Sequence, residues 1–351
     1  MPVALRARNA CDDETIKIWD TEAPPVDGPG WRTGLRDSSD SGQGTAARAA
    51  SITPDGSRLV TLHPSNDLRI WAPHAESVTG WDAVSWEQNS RYRFHAVLAL
   101  SPDCRYLAEC QDSHRPTRAD LASYAYVYDL AGTLEQQIFP RFGVTITTLA
   151  IAANRSRFVV GDMEGAVTFW DPTEESPAAH TRPGHTGRVT VATMALDGSW
   201  VATGGEDKKV KLWNMATRRA TTLTGHTAPV TAIAVAPDGT WLATGGEDGT
   251  TRIWDRAGGA CTAVLTGHTG RVTSLAITPD GGRIAVVTGS RTLHIWDRAT
   301  GEALTLMRTE APLLACAWTG DGHDLIACGS RGLYGYRFRP RGTATDPGSS
   351  G

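Results

Sequence analysis

Three residue types that can carry acid–base chemistry recur at fixed spacing in the middle of the chain. His185, Thr203 and Asp207 supply an imidazole, a hydroxyl and a carboxylate, which are the components of a nucleophilic triad. The same three types return 41 residues later, as His226, Thr244 and Asp248. A nucleophile needs one exposed and unique site, so the repetition favours a structural role and no catalytic residue is predicted.

Other patterns that could carry chemistry are equally unspecific. The pair Gly204-Gly205 precedes Glu206 and Asp207, whose charges would repel a phosphate. The ten histidines show no His-x-His or HExxH spacing, so no metal is predicted. The basic run at residues 208–211 fits a solvated strand edge better than a nucleic-acid contact. We therefore expect no cofactor.

Composition limits the partners and the cellular location that we expect for the chain. A formal net charge of −4 over 351 residues gives no electrostatic case for nucleic acid or an anionic membrane. The six cysteines lack a disulfide framework, and the first residues lack the apolar core of a signal peptide. Arginine far outnumbers lysine, as in proteins of GC-rich bacteria. We expect a monomeric, cytoplasmic, bacterial protein whose partner is another protein.

The triad components lie within a longer repeat. Gly-His opens each of three similar copies and Trp closes them, at intervals of 41 and 42 residues; the copies are residues 184–214, 225–255 and 267–297. Inside a copy, apolar residues alternate with period two and a Pro-Asp-Gly or similar turn follows, which predicts strands joined by turns. Each unit supplies three clear strands, and the segment leading to the next Gly-His supplies a fourth.

The same unit can be followed, with weaker matches, along most of the chain. Complete units number seven, and residues 9–20 align with residues 244–255 as the remnant of a further unit. We divide the chain into a leader with a remnant strand at 1–22, a repeat domain at 23–339 and a disordered tail at 340–351.

Four strands per unit, a Gly-His near the start and Trp at the end resemble the WD-repeat family, in its bacterial form. The resemblance covers residues 9–338 and is most specific in the three central copies. It weakens where Tyr128 and Tyr336 replace the tryptophan and where Trp71 is not followed by Asp. The resemblance implies an all-β fold, a seven-bladed β-propeller of four-stranded antiparallel blades.

The resemblance also implies a hydrogen-bonded relay in each blade, from Trp through a hydroxyl and His to a turn Asp. Two complete sets match this pattern in the chain: Trp213, Thr203, His185 and Asp207, and Trp254, Thr244, His226 and Asp248. In the next copy Ser290 replaces the Asp and Val286 replaces the hydroxyl, so His268 is expected to lack its relay.

Closure of the ring is expected to join the two ends of the repeat domain. In such rings the amino-terminal side usually supplies the outer strand of the last blade. We predict that residues 24–44 supply it against residues 333–339, although this segment is rich in Gly and Pro. Residues 15–19 are then surplus, which suggests that the chain belongs to a longer array.

Contacts with a partner are expected at the turns of one face. In WD-repeat proteins these positions precede the first strand and the turn Asp of a blade, here Arg188, Pro229, Arg271, Glu206 and Glu247. An insertion at residues 112–122 should emerge on the same face, with His114, Arg115 and Arg118 at its tip. The charges there either bind a partner or serve solubility, and the insertion either binds or is a disordered excursion.

These observations favour a non-catalytic scaffold for protein–protein interaction, or the sensor propeller of a larger bacterial signalling protein in which it forms the C-terminal part. The alternative is a propeller-type hydrolase with a polar site in the central channel. Convergent His, Asp or Glu side chains in the channel would favour that alternative.

Overall fold

The described part of the chain contains strands, turns and irregular segments, and no helix. In the computed structural model the described residues are 144–337, except 153–156, 172–178, 310 and 330–331, together with Ser101 and the strands before residue 144. The tail at 340–351 and the predicted contact residues His114, Arg115 and Arg118 lie outside the described residues.

Ten strands precede residue 144. Two lie near the amino terminus: β1, Ala4–Arg6, and β2, Lys17–Asp20. Four form sheet 1: β3, Ala49–Ile52, β4, Leu59–Leu62, β5, Leu68–Trp71, and β6, Val84–Trp86. Four form sheet 2: β7, Val97–Leu100, β8, Tyr106–Ser113, β9, Ala122–Asp129, and β10, Gln137–Ile138.

The central strands make three further sheets of the same design. Sheet 3 consists of β11, Ile146–Ile151, β12, Phe158–Asp162, β13, Ala166–Trp170, and β14, His180–Pro183. Sheet 4 consists of β15, Val189–Met194, β16, Trp200–Gly205, β17, Lys209–Asn214, and β18, Ala220–Thr224. Sheet 5 consists of β19, Val230–Val235, β20, Trp241–Gly246, β21, Thr251–Asp255, and β22, Cys261–Leu265.

The last strands form two sheets that also hold the amino-terminal strands. Sheet 6 contains β23, Val272–Ile277, β24, Arg283–Thr288, β25, Thr292–Asp297, and β26, Ala303–Arg308, with β1 at its edge. Sheet 7 contains β27, Leu313–Trp318, β28, Asp324–Gly329, and β29, Gly332–Arg337, with β2 at its edge.

Consecutive strands pair antiparallel within each sheet, and the described turns between them are short. The turn between β19 and β20 shows why the sequence turns there. Gly239 adopts φ +67, and the carboxylate of Asp238 accepts the Thr240 amide at 3.0 Å. A residue with a Cβ is disfavoured at such φ, whereas Gly adopts it freely and Asp stabilises the turn.

The core lies between neighbouring sheets. The second strand of sheet 5, β20, is buried along its whole length, whereas the outer strand β22 is mostly exposed. Ala243 and Ile253 of sheet 5 pack in one cluster with Val272 and Val286 of sheet 6. The first strands of consecutive sheets contact one another, and β27 of sheet 7 contacts β3 of sheet 1. Each sheet is therefore covered by its neighbours.

The edge of sheet 7 is occupied differently from the prediction. Lys17–Asp20 pairs with β29 in parallel, with Trp19 opposite Tyr336. The segment expected there, residues 24–44, lies outside the described residues, and residues 15–19, expected to be surplus, lie partly in this strand. The physical reason is composition, since Ile and Trp favour a strand whereas Gly and Pro do not. No tight turn joins β2 to β29, so the pairing need not be antiparallel.

A second parallel strand was not predicted. Ala4–Arg6 pairs with the outer strand β26, with Leu5 opposite Met307. The insertion in sheet 2 is also partly regular, because Asp112 pairs with Ser123 and Ser113 with Ala122. The hairpin of β8 and β9 thus extends into both ends of the insertion predicted at residues 112–122.

Candidate interaction face and its supporting relays

The structure brings the four predicted residues of sheet 4 into one chain of hydrogen bonds. His185 is 6% exposed; its Nδ1 lies 2.8 Å from Oδ1 of Asp207 and its Nε2 lies 2.8 Å from Oγ1 of Thr203. The indole Nε1 of Trp213 donates to the same Thr203 oxygen at 2.9 Å. The chain runs from the buried tryptophan to the turn between β16 and β17.

The direction of each bond in this relay follows from the tryptophan. An indole N–H can only donate, so Thr203 accepts from Trp213 and donates its own proton to Nε2 of His185. His185 must then carry its proton on Nδ1 and donate it to Asp207. This neutral form agrees with burial, which lowers the pKa of His185 against the opposing hydrogen bond and charge of Asp207.

Sheet 5 repeats the relay in the same geometry. Nδ1 of His226 lies 2.9 Å from Oδ2 of Asp248, and Nε2 lies 2.8 Å from Oγ1 of Thr244. Nε1 of Trp254 donates to Thr244 at 2.8 Å. The third strand presents the Trp, the second strand presents the Thr, and the following turn presents the Asp.

The aspartates connect each relay to the surface. Burial opposes ionisation of Asp248, but hydrogen bonds from the Thr227 amide, His226 and Thr250 outweigh it and lower the pKa of this carboxyl to about 2. Asp207 likewise accepts the amides of Thr186 and Lys209, both at 3.2 Å. Each ionised carboxylate therefore ties the turn after the second strand to the loop before the first strand.

The predicted contact residues lie on these tied segments. The amide of Glu206 donates to the carbonyl of Arg188 at 3.0 Å, and the amide of Glu247 donates to Pro229 at 2.8 Å. Glu206, Glu247 and the two arginines are exposed, and Pro229 is half-buried. Arg271 approaches Glu247 across sheets 5 and 6, with Nη1 4.0 Å from Oε1. Together the five residues define a rim that spans sheets 4 to 6.

Sequence reasoning missed one member of this rim. The amide of Met163 donates to the carbonyl of Thr145 at 3.1 Å, the same contact that joins Glu206 to Arg188. The Met163 side chain is 54% exposed. Its position was readable from alignment, since Met163 stands two residues after Gly161 as Glu206 stands two residues after Gly204. Sheet 3 thus adds an apolar contact to a charged rim.

Sheet 6 lacks the relay, as its sequence suggested. Nδ1 of His268 and Nε1 of Trp296 have no hydrogen-bond partner among the described residues. Nε2 of His268 lies 3.3 Å from Oγ1 of Thr251 in sheet 5. Ser290, in the place of the aspartate, instead lies 2.8 Å from the hydroxyl of Thr288.

A row of threonines that was not predicted from the sequence joins the first strands. Thr190 bonds to the carbonyl of Gly204 in its own sheet at 3.0 Å and to Val230 of the next sheet. Thr273 does the same, contacting Val287 at 3.2 Å and Leu313 at 3.1 Å. Thr147 and Thr231 are placed alike. The signal was a Thr at the second position of each of these strands.

A second kind of contact between neighbouring sheets was also not predicted. It lies at the other end of the strands from the relay turns. The guanidinium of Arg298 lies 4.4 Å from the ring centre of Trp241, and that of Arg256 lies 5.2 Å from Trp200. Each arginine follows the last residue of a third strand, and each tryptophan opens the second strand of the preceding sheet. These cation–π contacts fasten consecutive sheets.

The described residues offer few arrangements of side chains that could support catalysis or bind a metal. No group of three or more His, Cys, Asp or Glu side chains is placed there to hold a metal ion. The first strands of the sheets contain no His, Asp or Glu in their sequences; they are β3, β7, β11, β15, β19, β23 and β27. The described residues contain no helix that is long and apolar enough to span a bilayer.

Repeated four-stranded sheets and repeated relays define an all-β repeat protein. Comparison with known proteins shows which family of repeats it resembles. Residues 177–214, 217–255 and 259–297 match the family model of the WD domain, G-beta repeat. Each match begins with the outer strand of one sheet and ends with the third strand of the next. The chain thus contains three WD repeats, and each repeat links two sheets.

The chain is also similar to a curated protein, at low sequence identity. The chain is 24% identical over 207 residues to transcription factor unc-37 of Caenorhabditis elegans. The match covers 57% of this chain and 32% of the relative. The chain therefore corresponds to about a third of the length of that curated relative.

Proposed function

We propose that the chain is a seven-bladed β-propeller that binds a partner protein through its turn-bearing face and performs no chemistry itself. Support for the ring comes from the seven sheets that the described strands form and from the cyclic contacts of their first strands. Support for binding comes from WD repeats in general, which mediate contacts between proteins.

One observation carries the binding proposal. The exposed side chains of Arg188, Glu206, Glu247 and Arg271 stand on backbone segments that hydrogen bonds fix directly beneath them. A preorganised surface loses little conformational entropy when it binds, and arginine is common among residues that dominate binding energy. Such a rim suits a protein with charges of both signs better than a polyanion.

The competing hydrolase proposal has no such observation in its favour. The first strands of the sheets would line the central channel of the propeller. They contribute no carboxylate or imidazole that could act as a general acid or base. Cytoplasmic location, a monomeric state and membership of a larger bacterial signalling protein stay predictions from the sequence.

The test is capture of a partner by the full chain and its rim variant. The immobilised chain is exposed to clarified lysate of the source cell, beside the double variant Arg188→Glu/Arg271→Glu. Retained proteins are identified by mass spectrometry and purified for a direct titration, in which the variant should bind at least about tenfold more weakly. Arg219→Glu is the matched control, because Arg219 is equally exposed but lies at the turn between β17 and β18.

Equal binding by the rim variant would place the interface elsewhere on the molecule. A wild-type chain that retains no protein would contradict the scaffold proposal itself.

A further inference from the structure

The residues that replace the relay in sheet 6 form a cluster of their own. The rings of His268 and His294 lie 4.8 Å apart between centres and nearly perpendicular, at 84°. The ring of His294 stacks on Trp296 at 6.3 Å, with 17° between the planes. Both histidines are more than nine-tenths buried, with His268 9% and His294 6% exposed. Two imidazoles are therefore packed together in the core.

The surroundings of this pair contain no buried counter-charge among the described residues. Thr251 of β21 and Thr292 of β25 contact the rings through hydroxyls, at 3.3 and 3.2 Å. Val286 of β24 and Leu306 of β26 lie opposite His294 in the sheet. The titratable group that acts on His268 is His294 itself. The charged residues of the neighbouring elements are exposed or half-exposed. Those at the rim and edge are Glu247, Arg252, Arg271, Arg291 and Arg308, and those at the far ends of the strands are Asp255, Arg283 and Asp297.

We propose that sheet 6 is a proton-sensitive element, in which protonation of the pair His268 and His294 opens the sheet while sheets 4 and 5 stay closed. A proton on either ring places a positive charge in the core beside another imidazole, with no carboxylate to receive it. In the relay sheets the same event would create an ion pair with Asp207 or Asp248. The element is a property of this chain and does not depend on which partner binds.

The expected size follows from linkage between protonation and opening. Burial, and after it the charge of His294, lowers the pKa of His268 from 6.5 to about 4. The open form therefore binds the proton first as the pH falls, and the closed form is favoured fully only above pH 6.5. Between pH 7.5 and 5.0 the opening equilibrium should shift on the order of 30-fold toward the open form through His268 alone.

Hydrogen exchange read by mass spectrometry tests this shift in the full chain. Protection factors, corrected for the intrinsic pH dependence of exchange, are compared for peptides covering residues 283–297 and 200–214. We expect protection in 283–297 to fall on the order of 30-fold between pH 7.5 and 5.0, with a fall several times smaller in 200–214. An equal fall in both segments, or none in 283–297, would overturn the proposal.

Variants separate the pair from other effects of acid. In the double variant His268→Phe/His294→Leu the pH response of 283–297 should disappear, whereas His323→Gln, on an exposed turn, should keep it. Persistence of the response in the double variant would refute the assignment. If that variant does not fold, carbon-13 shifts of the wild-type imidazoles decide. His268 should titrate well below pH 6.5, and ordinary titration without loss of protection would refute the proposal.

Discussion

Sheets 5 and 6 are neighbours with the same backbone and different interiors. Both pair their strands in the same register, including the irregularity near the start of the first strand. Sheet 5 carries the relay through Thr244 and Asp248, whereas sheet 6 has Val286 and Ser290 in those places. The relay is therefore not needed to form the sheet.

What the relay contributes is satisfaction of buried polar groups. In sheet 5 the indole of Trp254 and the ring of His226 are fully paired. In sheet 6 Trp296 and His268 each keep a nitrogen that has no hydrogen-bond partner within the part of the chain that the structure describes. Unpaired buried groups cost free energy. Apolar and aromatic packing around Val286 and His294 must offset that cost in sheet 6.

Removing the central hydroxyl of a relay should have the largest effect. Thr244→Val leaves Nε2 of His226 and Nε1 of Trp254 without partners, each costing roughly 1–3 kcal/mol. We expect the free energy of unfolding in urea to fall by roughly 2–5 kcal/mol. Thr244→Ser, which keeps the hydroxyl, should recover most of this loss. A valine variant as stable as wild type would show that the relay contributes nothing.

Removing the charge of the relay should have the next largest effect. The Asp248 carboxyl is nearly buried and has its pKa lowered from 3.8 to about 2 against the cost of burial. Asp248→Asn should therefore lower the free energy of unfolding by about 2 kcal/mol at pH 7.

The pH dependence of that difference identifies its origin. A lowered pKa means that the unfolded chain takes up the proton first as the pH falls, so the contribution of Asp248 is complete above about pH 4 and lost toward pH 2. The gap between wild type and Asp248→Asn should close over that range in urea titrations. A gap that is unchanged at pH 2.5 would assign the effect to packing rather than charge.

The sequence was sufficient to predict the strands, the two complete relays and the defect in sheet 6, because each depends on residue type at a fixed place in a repeat. Recurrence alone does not distinguish Thr203 and Asp207 from their neighbours, since residues 202–207 return unchanged as residues 243–248, and the resemblance to WD repeats singled them out. The place of Glu206 and Glu247 on the tied turns follows from the same repeat, whereas the repeat of Met163 lacks the Gly-His that marks the pattern. That these residues bind a partner stays a prediction.

Long-range pairing was not predictable in the same way. The edge strand Lys17–Asp20 is separated from its partner β29 by most of the chain, and no turn chemistry fixes its position or direction. The contact of His268 with His294 was also hidden, since His294 stands where the other copies have Lys211 and Arg252 and reads as a solvated strand position. His294 is instead buried, because its ring packs against those of His268 and Trp296.

Restoring one hydroxyl to sheet 6 should produce a smaller change of opposite sign. Val286 is 0% exposed and stands in the place of Thr244, so Val286→Thr would offer an acceptor to Nε1 of Trp296. We expect the free energy of unfolding to rise by about 1 kcal/mol. Val287→Thr is the matched control, because Val287 packs toward Leu313 in a different cluster, and it should destabilise the chain.

The smallest expected effect concerns how sheet 6 is held to sheet 5 away from the relay. Arg298 of sheet 6 stacks on Trp241 of sheet 5 at 4.4 Å, whereas Arg256 approaches Trp200 less closely, at 5.2 Å. Arg298→Ala should lower the free energy of unfolding by roughly 0.5–1 kcal/mol, and Arg256→Ala by less. Urea titrations of both variants at equal ionic strength provide the measurement. A larger loss from Arg256→Ala would mean that sheet 6, which lacks a relay, does not depend on its cation–π contact more than sheet 5 does. The stability of sheet 6 would then come from the apolar interface around Val272 and Val286.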